Sequence, residues 1–453
     1  MPLFTYRHRP YIHFDLPLDR SAAESLVTSP DRVALHWFFP FIFSVVETHK
    51  IGPLESGGFT FKLIKRRQIA YAGHADSHIF AHYSDIISER YEAILADRSL
   101  TRCVIAFRKM GSASNVHHAK EVFDFISTQS ECYALAMDVT DFFGNLNHTL
   151  LKAAWSDCIG AHRLSSDHFA VFKAITRYCQ VERDALFDAI HIPKSDPRLQ
   201  GNHRLPTFRR DGSLIPDNTN RLCTPRRFRE WVRDRGILRV NTTGKGIPQG
   251  SPISAILSNI YMLALDSALH AFAQANGGIY RRYCDDILVV LPTPALRDQV
   301  RQLIEQHLQG LELQFNPSKT EQVDFPAIRP IAGKPLQYLG FTFDGTHKRI
   351  RPASVARYYR KMRRGVLRTR IQRANADEEA GRNQPSPLKK KRLYRQYSYL
   401  GKKLGRNKEE RRNFLSYAFD AARIMKDPGI KKQLKRHWKR LQEEIAKPLE
   451  PGQ

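Results

Sequence analysis

The chain reads as an α+β protein in which helices pack on one face of an antiparallel sheet. Three observations lead there. Apolar strand candidates and helical stretches follow one another without the regular strand–helix alternation of a parallel sheet. Two apolar stretches run straight into carboxylates, at Asp138 and at Asp285-Asp286. From Arg351 onward the pattern is helical and strongly basic.

The elements follow in order. Residues 20–50 read as helical, with Ser21 as a candidate cap. The longest apolar run, Trp37 to Val46, contains Pro40, is too short to cross a bilayer and reads as core. Phe59 to Arg67 alternates like a strand and ends in Lys65-Arg66-Arg67. Ile79 to Leu95 has helical spacing, Cys103 to Phe107 reads as a short buried strand, and Asn115 to Thr128 as a capped helix. Tyr133 to Met137 is a continuous apolar strand ending at Asp138. Helices cover 149–180, and 190–225 reads as a long surface insertion rich in Pro, Asn, Asp and Arg. Gly244 to Gly250 is a loop that feeds a helix over Ser254 to Phe272. Tyr283-Cys284-Asp285-Asp286 then sits between two apolar stretches as a hairpin carrying the acids at its tip. A helix over 294–309, a turn at Asn316-Pro317-Ser318 and a hairpin from Tyr338-Phe343 to Arg349-Ile350 complete the body. The basic helical region that follows is broken by a polar stretch at 374–388.

The 453 residues allow two to three domains, and 42% hydrophobic with 26% charged residues is ordinary for a globular protein. The net charge of +27 predicts attraction to polyanions. It is uneven. Residues 351–453 hold 30 Lys+Arg and 10 Asp+Glu, whereas the preceding part holds 42 and 35. Cysteines at 103, 132, 158, 179, 223 and 284 form no CxxC pair, and no His cluster has zinc spacing. With no secretory signal in Met1-Pro2-Leu3-Phe4, the expected setting is reduced and cytoplasmic, with no membrane partner.

The chemistry lies in Asp138, Asp285 and Asp286. If their strand and hairpin are neighbours in one sheet, three carboxylates converge at its edge, where mutual repulsion calls for cations. Two divalent ions roughly 4 Å apart would neutralise them and clamp the two oxygens of a phosphoryl transfer. The loop Gly246-Ile247-Pro248-Gln249-Gly250 lets backbone approach a ligand closely, just before a helix N-terminus.

Five segments, in this order, resemble successive palm motifs of reverse transcriptases: Asp138-Val139-Thr140-Asp141-Phe142-Phe143, Gly246 to Pro252, Tyr283 to Asp286, Leu313 to Thr320, and Tyr338-Leu339-Gly340-Phe341. The resemblance covers about 60–350. It implies a right-hand polymerase, with an N-terminal helical extension over 1–50, fingers over 51–130, and a palm over 131–350 with a fingers-like insertion about 180–245. A basic helical thumb and RNA-binding tail over 351–453 would complete it. It implies that Asp138, Asp285 and Asp286, with the Val139 carbonyl, hold two Mg²⁺ ions (Mn²⁺ as an alternative), and that Lys319 is a general acid toward pyrophosphate. Thr140, Asp141, Gln249 and Gly250 would line the dNTP site, Phe143 would exclude a ribose 2′-hydroxyl, and Arg66, Arg108 and Lys109 would meet the triphosphate. Tyr338, Leu339, Gly340 and Phe341 would support the primer.

In the tail, Arg357 and Arg360 flank Tyr358-Tyr359, and Lys390, Arg392 and Arg395 interleave with Leu393, Tyr394 and Tyr397, which suits phosphate contact with base stacking on an RNA–DNA duplex. Ala106 to Lys109 with Ser114-Asn115, Phe228 to Val232, and Arg412-Asn413-Phe414 look most like type-2 defence-associated bacterial reverse transcriptases, which pair with a structured non-coding RNA template. A retron-type enzyme, protein-primed or untemplated synthesis, and a non-catalytic maturase-like RNA binder are the competing readings. The oligomeric state is not set by the sequence.

Overall fold

The structure, a computed structural model, describes residues 4–9, 11–53, 59–108, 110–192, 221–382, 384–402 and 413–448. Three sheets organise it. The N-terminal sheet has strand order β2-β1-β4-β5. It comprises β1 (Phe41–Pro53), β2 (Phe59–Tyr71), β4 (Cys179–Glu182) and β5 (Arg239–Val240). Its pairings are antiparallel except β1 with β4. The central sheet, order β6-β7-β3-β8, is antiparallel throughout. It holds β3 (Cys132–Asp138), β6 (Ile279–Tyr283), β7 (Asp286–Leu291) and β8 (Glu321–Phe325). A small sheet follows, from β9 (Leu336–Tyr338), β10 (Phe341–Phe343) and β11 (Lys348–Ile350).

Helices cover both faces of the central sheet, not one. Alternation along β7 explains this. Ile287, Val289 and Leu291 join one core cluster, and Leu288 and Val290 join the other. A strand buried on both faces carries a continuous apolar run, which is what Ile287 to Leu291 shows. The first core takes α3 (His74–Asp97), α6 (His148–Cys158), α7 (Ser166–Thr176), α10 (Ser254–Tyr261), α11 (Leu263–Ala275) and α12 (Pro294–Gly310). The second takes α4 (Asn115–Thr128), the small sheet, α13 (Pro352–Glu379), α14 (Lys390–Tyr397), α15 (Phe414–Met425), α16 (Pro428–Leu434) and α17 (His437–Ala446). Shorter helices α1 (Arg20–Val27), α2 (Pro30–Ala34), α5 (Phe142–Asn145), α8 (Arg183–Ala189) and α9 (Pro225–Phe228) fill the connections, and a π-helical turn, Arg229–Arg233, follows α9.

Several elements differ from the sequence reading. Residues 20–50 are two short helices and then a strand, because β-branched and aromatic residues from Phe41 onward pair with β2. Asp19, not Ser21, caps the first helix, accepting from the Ala22 amide. The run from Trp37 is core only in part: Phe41, Ile42 and Phe43 are buried, whereas Trp37 is 90% exposed. Cys103 to Phe107 makes a single bridge, Val104 to Arg282, and Phe107 turns away at φ +62°. The helix over 254–272 divides at Met262 with a 51° bend. Tyr338 to Phe343 is two strands joined at Leu339-Gly340, where φ of +46° and +89° makes a two-residue hairpin. Most of the 190–225 insertion and Arg412 lie outside the described residues. Among those described, no single helix is long and apolar enough to cross a membrane.

Candidate active site

Strand register brings the acids together. In the β3–β7 ladder Asp138 is directly opposite Asp286. Asp285 occupies the two-residue turn between β6 and β7, after Cys284 at φ +59°. The Asp285 carbonyl accepts from the Val139 amide at 3.1 Å, so the turn is also tied to the strand that bears Asp138. Asp285 is half-buried and Asp286 exposed.

A third segment closes the edge. The Asp138 carbonyl accepts from the Asn316 amide at 2.8 Å, and the Thr140 amide donates to the Gln314 carbonyl at 2.7 Å. Asn316 caps the short helix Pro317–Lys319 and so turns Lys319 back toward the acids. The Lys319 ammonium pairs with the Asp138 carboxylate. Three carboxylates are hard oxygen donors of the kind Mg²⁺ takes, so the donor chemistry fits such an ion. The expected closed cluster is not formed, however. Among the described residues no three His, Cys, Asp or Glu side chains are gathered to hold a metal. Like charges keep apart unless cations intervene, and here Lys319 supplies the positive charge for Asp138.

The Gln249 loop borders this edge. Gly246 donates its amide to the Leu146 carbonyl at 2.8 Å, and Ile247 donates to the Phe143 carbonyl at 2.9 Å. At Gly246, φ is +84° and a Cβ would stand 2.8 Å from the Gly144 carbonyl oxygen. At Gly250, φ is +117° and a Cβ would stand 2.4 Å from the Ala70 carbonyl oxygen. The Ala70 amide in turn donates to the Gln249 carbonyl at 2.8 Å. The loop is thus stitched to α5 on one side and to the end of β2 on the other. Phe143 is half-buried, Gln249 half-buried, and Thr140, Asp141 and Gly250 are exposed around it. Asp141 caps α5 at φ +41°. Ala70 is a contact that sequence reading missed; the glycine at 250 was its signal.

Other expected residues are placed differently. Arg108 is no triphosphate ligand here, because its side chain is 3% exposed. Its guanidinium donates to the Glu92 carboxylate at 2.7 and 2.5 Å and to the Thr101 and Val104 carbonyls. Arg66 is exposed on β2, four residues before Ala70, and pairs with Glu47 at 3.5 Å. Lys109 lies outside the described residues. Tyr338 and Phe341 are buried in the second core, so only the Leu339-Gly340 turn is presented outward. Arg357 and Arg360 on α13, and Lys390, Arg392 and Arg395 on α14, are exposed. The aromatics between them are not free to stack on bases. Tyr358 and Tyr359 are buried, Tyr358 stacks on Phe414 at 4.8 Å, and Tyr394 packs on Trp438 at 5.1 Å. Helical spacing sends the cations outward and the rings into the core.

Residues 218–343 match the sequence model of the family described as reverse transcriptase (RNA-dependent DNA polymerase). The matched stretch is about a quarter of the chain and carries Gln249, Asp285, Asp286, Lys319 and Leu339-Gly340. Asp138 lies outside it and joins it through the ladder. No curated protein matches the sequence significantly. Among solved structures, a truncated apo telomerase from Candida tropicalis is similar at 12% identity and TM-score 0.42, over 66% of this chain and 55% of that one. A telomerase from Candida albicans in complex with a fragment of telomeric RNA is similar at 12% identity and TM-score 0.39, over 92% and 58%. The chain spans somewhat more than half the length of these two telomerases. The fold is α+β and reverse-transcriptase-like, with mixed helices and largely antiparallel sheets.

Proposed function

We propose that the chain is an RNA-directed DNA polymerase that makes cDNA by nucleotidyl transfer. The observation that carries this reading is the Asp138–Asp286 register, with Asp285 at the adjoining turn, in a palm whose sequence matches reverse transcriptases. The central sheet is then the palm, and α13 to α17 the thumb. Asp138, Asp285, Asp286 and the Val139 carbonyl would hold two Mg²⁺ ions, whose positive charge would favour an ionised primer hydroxyl and offset the triphosphate charge. Lys319, exchanging Asp138 for the departing pyrophosphate, would place a proton and a positive charge there. Gln249 and Gly250 would border the incoming nucleotide, and Phe143 would fill the space a 2′-hydroxyl needs. The exposed cations of α13 and α14 would grip the RNA–DNA duplex through its phosphates.

The template in this reading is a dedicated structured non-coding RNA, and the setting is cytoplasmic anti-phage defence. The resemblance of the fingers and tail segments to type-2 defence-associated enzymes supports that finer assignment. The test is extension of a DNA primer on an RNA template with dNTPs and Mg²⁺. Wild-type protein extends the primer and Asp285→Ala does not; no template-dependent incorporation by wild type, or equal incorporation by the variant, overturns the polymerase. Sequencing RNA and DNA that co-purify with the protein tests the dedicated template, for which one dominant RNA with its complementary DNA is expected.

A further inference from the structure

One charged side chain in the palm is completely buried and has no part in the chemistry above. Arg282 is 0% exposed, two residues before Cys284 on β6. Its Nε and Nη2 donate to the two carboxylate oxygens of Asp266 on α11, each at 2.6 Å, and Asp266 is also 0% exposed. The Tyr280 hydroxyl adds a third bond to Asp266 at 2.6 Å. Burial, with the Asp266 charge next, pushes the Tyr280 phenol well above its ordinary value, so it remains a donor. The remaining nitrogen, Nη1, donates to the Asn259 side-chain oxygen at 3.2 Å and to the Cys284 carbonyl at 3.0 Å. Asn259 is oriented by its own bond to the Ala106 carbonyl at 3.1 Å. The Arg282 backbone is held as well, donating to the Cys103 carbonyl at 2.7 Å and accepting from the Ile105 amide at 3.0 Å.

A buried ion pair is a poor device for stability, because desolvation offsets most of the attraction and a well-packed apolar pair does as well. An apolar pair cannot, however, donate to the Cys284 carbonyl. That carbonyl belongs to a residue with a side chain held at φ +59°, a conformation that residues other than glycine adopt reluctantly. The next residue is Asp285. We propose that Arg282, locked by Asp266 and Asn259, is a positioning residue that holds the Cys284 turn left-handed and so aims Asp285 at the reacting centre. This rests on the polymerase reading for its kinetic consequence, and on geometry alone for its effect on the turn.

The test compares wild type with Arg282→Lys, with the double variant Arg282→Met/Asp266→Leu, and with that double variant carrying Cys284→Gly. Met with Leu strands no charge, and Lys keeps the charge but loses the fork geometry. Four readouts are taken: thermal stability, primer–template affinity, kcat for dNTP addition on RNA, and Mn²⁺ affinity of the protein without nucleotide. Both Arg282 substitutions are expected to keep primer–template affinity and to lower kcat by about 100-fold, the scale of a small misplacement of a catalytic group. Mn²⁺ affinity falls alongside. Glycine at 284, which takes a positive φ without a clamp, is expected to recover at least about tenfold of the kcat loss, on that same scale, and to restore Mn²⁺ affinity. A purely structural pair predicts no such rescue. Unchanged kcat and Mn²⁺ affinity in the Arg282 variants, or a loss that Cys284→Gly does not recover, overturns the proposal. If the double variant fails to fold, Arg282→Lys with and without Cys284→Gly decides in the same way. Wild-type protein inactive on RNA would sink the polymerase reading instead, and the Mn²⁺ measurement would still judge the role of Arg282.

Discussion

Replacing Gly250 with alanine tests how tightly the Gln249 loop is held. The new Cβ would lie 2.4 Å from the Ala70 carbonyl oxygen, and real Cβ contacts essentially never fall below 3.0 Å. The obstacle is strand backbone, which has no rotamer to change. If the loop kept its place, the dihedral strain at φ +117° would cost about 1–3 kcal/mol. A retreat of the loop would instead lose the Ala70–Gln249 backbone bond, about 1 kcal/mol. The cheaper response is for the loop to retreat by a substantial fraction of an ångström and to carry Gln249 with it. A displacement near 1 Å at a positioning group lowers turnover by about 100-fold. The expected result is therefore a fall in kcat/KM for dNTP of that order, with a modest loss of thermal stability. Gly160→Ala is the matched control: φ is +69° and nothing lies within 4 Å, so it has only the left-handed penalty of about 1–2 kcal/mol. Both variants are assayed by RNA-templated extension and by thermal melting. If Gly250→Ala matches Gly160→Ala in both, the loop is not held against β2 in the way described.

Two further outcomes are expected. Phe143→Ala should relax discrimination against ribonucleotides by about 10- to 200-fold, the range over which pocket shape alone discriminates, measured as the ratio of kcat/KM for dNTP and rNTP; an unchanged ratio removes Phe143 from the sugar pocket. The second concerns acid stability. His74 is buried under Tyr11, and burial, followed by the charges of His8 and Arg9, lowers its pKa to about 4 from an ordinary 6.5. The folded state thus binds this proton less readily than the unfolded one. Its contribution is full above pH 6.5 and is lost as pH falls toward 4, by about 3 kcal/mol in all. Asp76 opposes it: burial, partly offset by its bond with His36, raises that carboxyl from 3.8 to about 6, so its term weakens the fold as pH rises across that window. His74→Phe keeps a ring against Tyr11, removes the first term and eases the depression that the His74 charge imposes on His13 and His78. Between pH 6.5 and 4 the variant should lose less stability than wild type in parallel melts, and superimposable pH profiles would refute the assignment.

What the sequence made legible was whatever sits within one local segment. The acid pair at a hairpin tip, the glycine-bracketed loop and the apolar strand ending at Asp138 each carry their own signal, and the structure places them at one sheet edge. Arg108 was misread because a cation after an apolar stretch looks the same whether it faces a phosphate or Glu92. The tail aromatics were misread because interleaving in sequence becomes separation on a helix: Arg357 and Arg360 point to solvent, Tyr358 and Tyr359 to the core. Residues 41–50 read as helical in the sequence because pairing with β2 is a non-local fact. The Arg282–Asp266 pair did leave a trace. Tyr280 and Arg282 alternate on the buried face of β6, and a charge there needs an opposite one, which Asp266 offers as the one acid of a mostly apolar helix.

The register that creates the site can be weighed against the repulsion it imposes. Two carboxylates on opposed ladder residues lie about 5 Å apart at the backbone, which in a surface-like dielectric is on the order of 3 kcal/mol of repulsion. Sliding β7 by one residue would relieve it but would exchange the faces of Ile287, Leu288, Val289, Val290 and Leu291, all of them buried. Each such side chain is held by about 1.5–3 kcal/mol of burial, so even partial mispacking of several outweighs the electrostatic gain. Apolar burial on both faces of β7 therefore fixes the carboxylates opposite each other regardless of their charge. In the proposed polymerase, the unfavourable field that results would favour cations at this edge. Lys319 answers part of that charge with an ammonium paired to Asp138, and in the proposed polymerase that flexible group would give way to divalent ions as substrate binds.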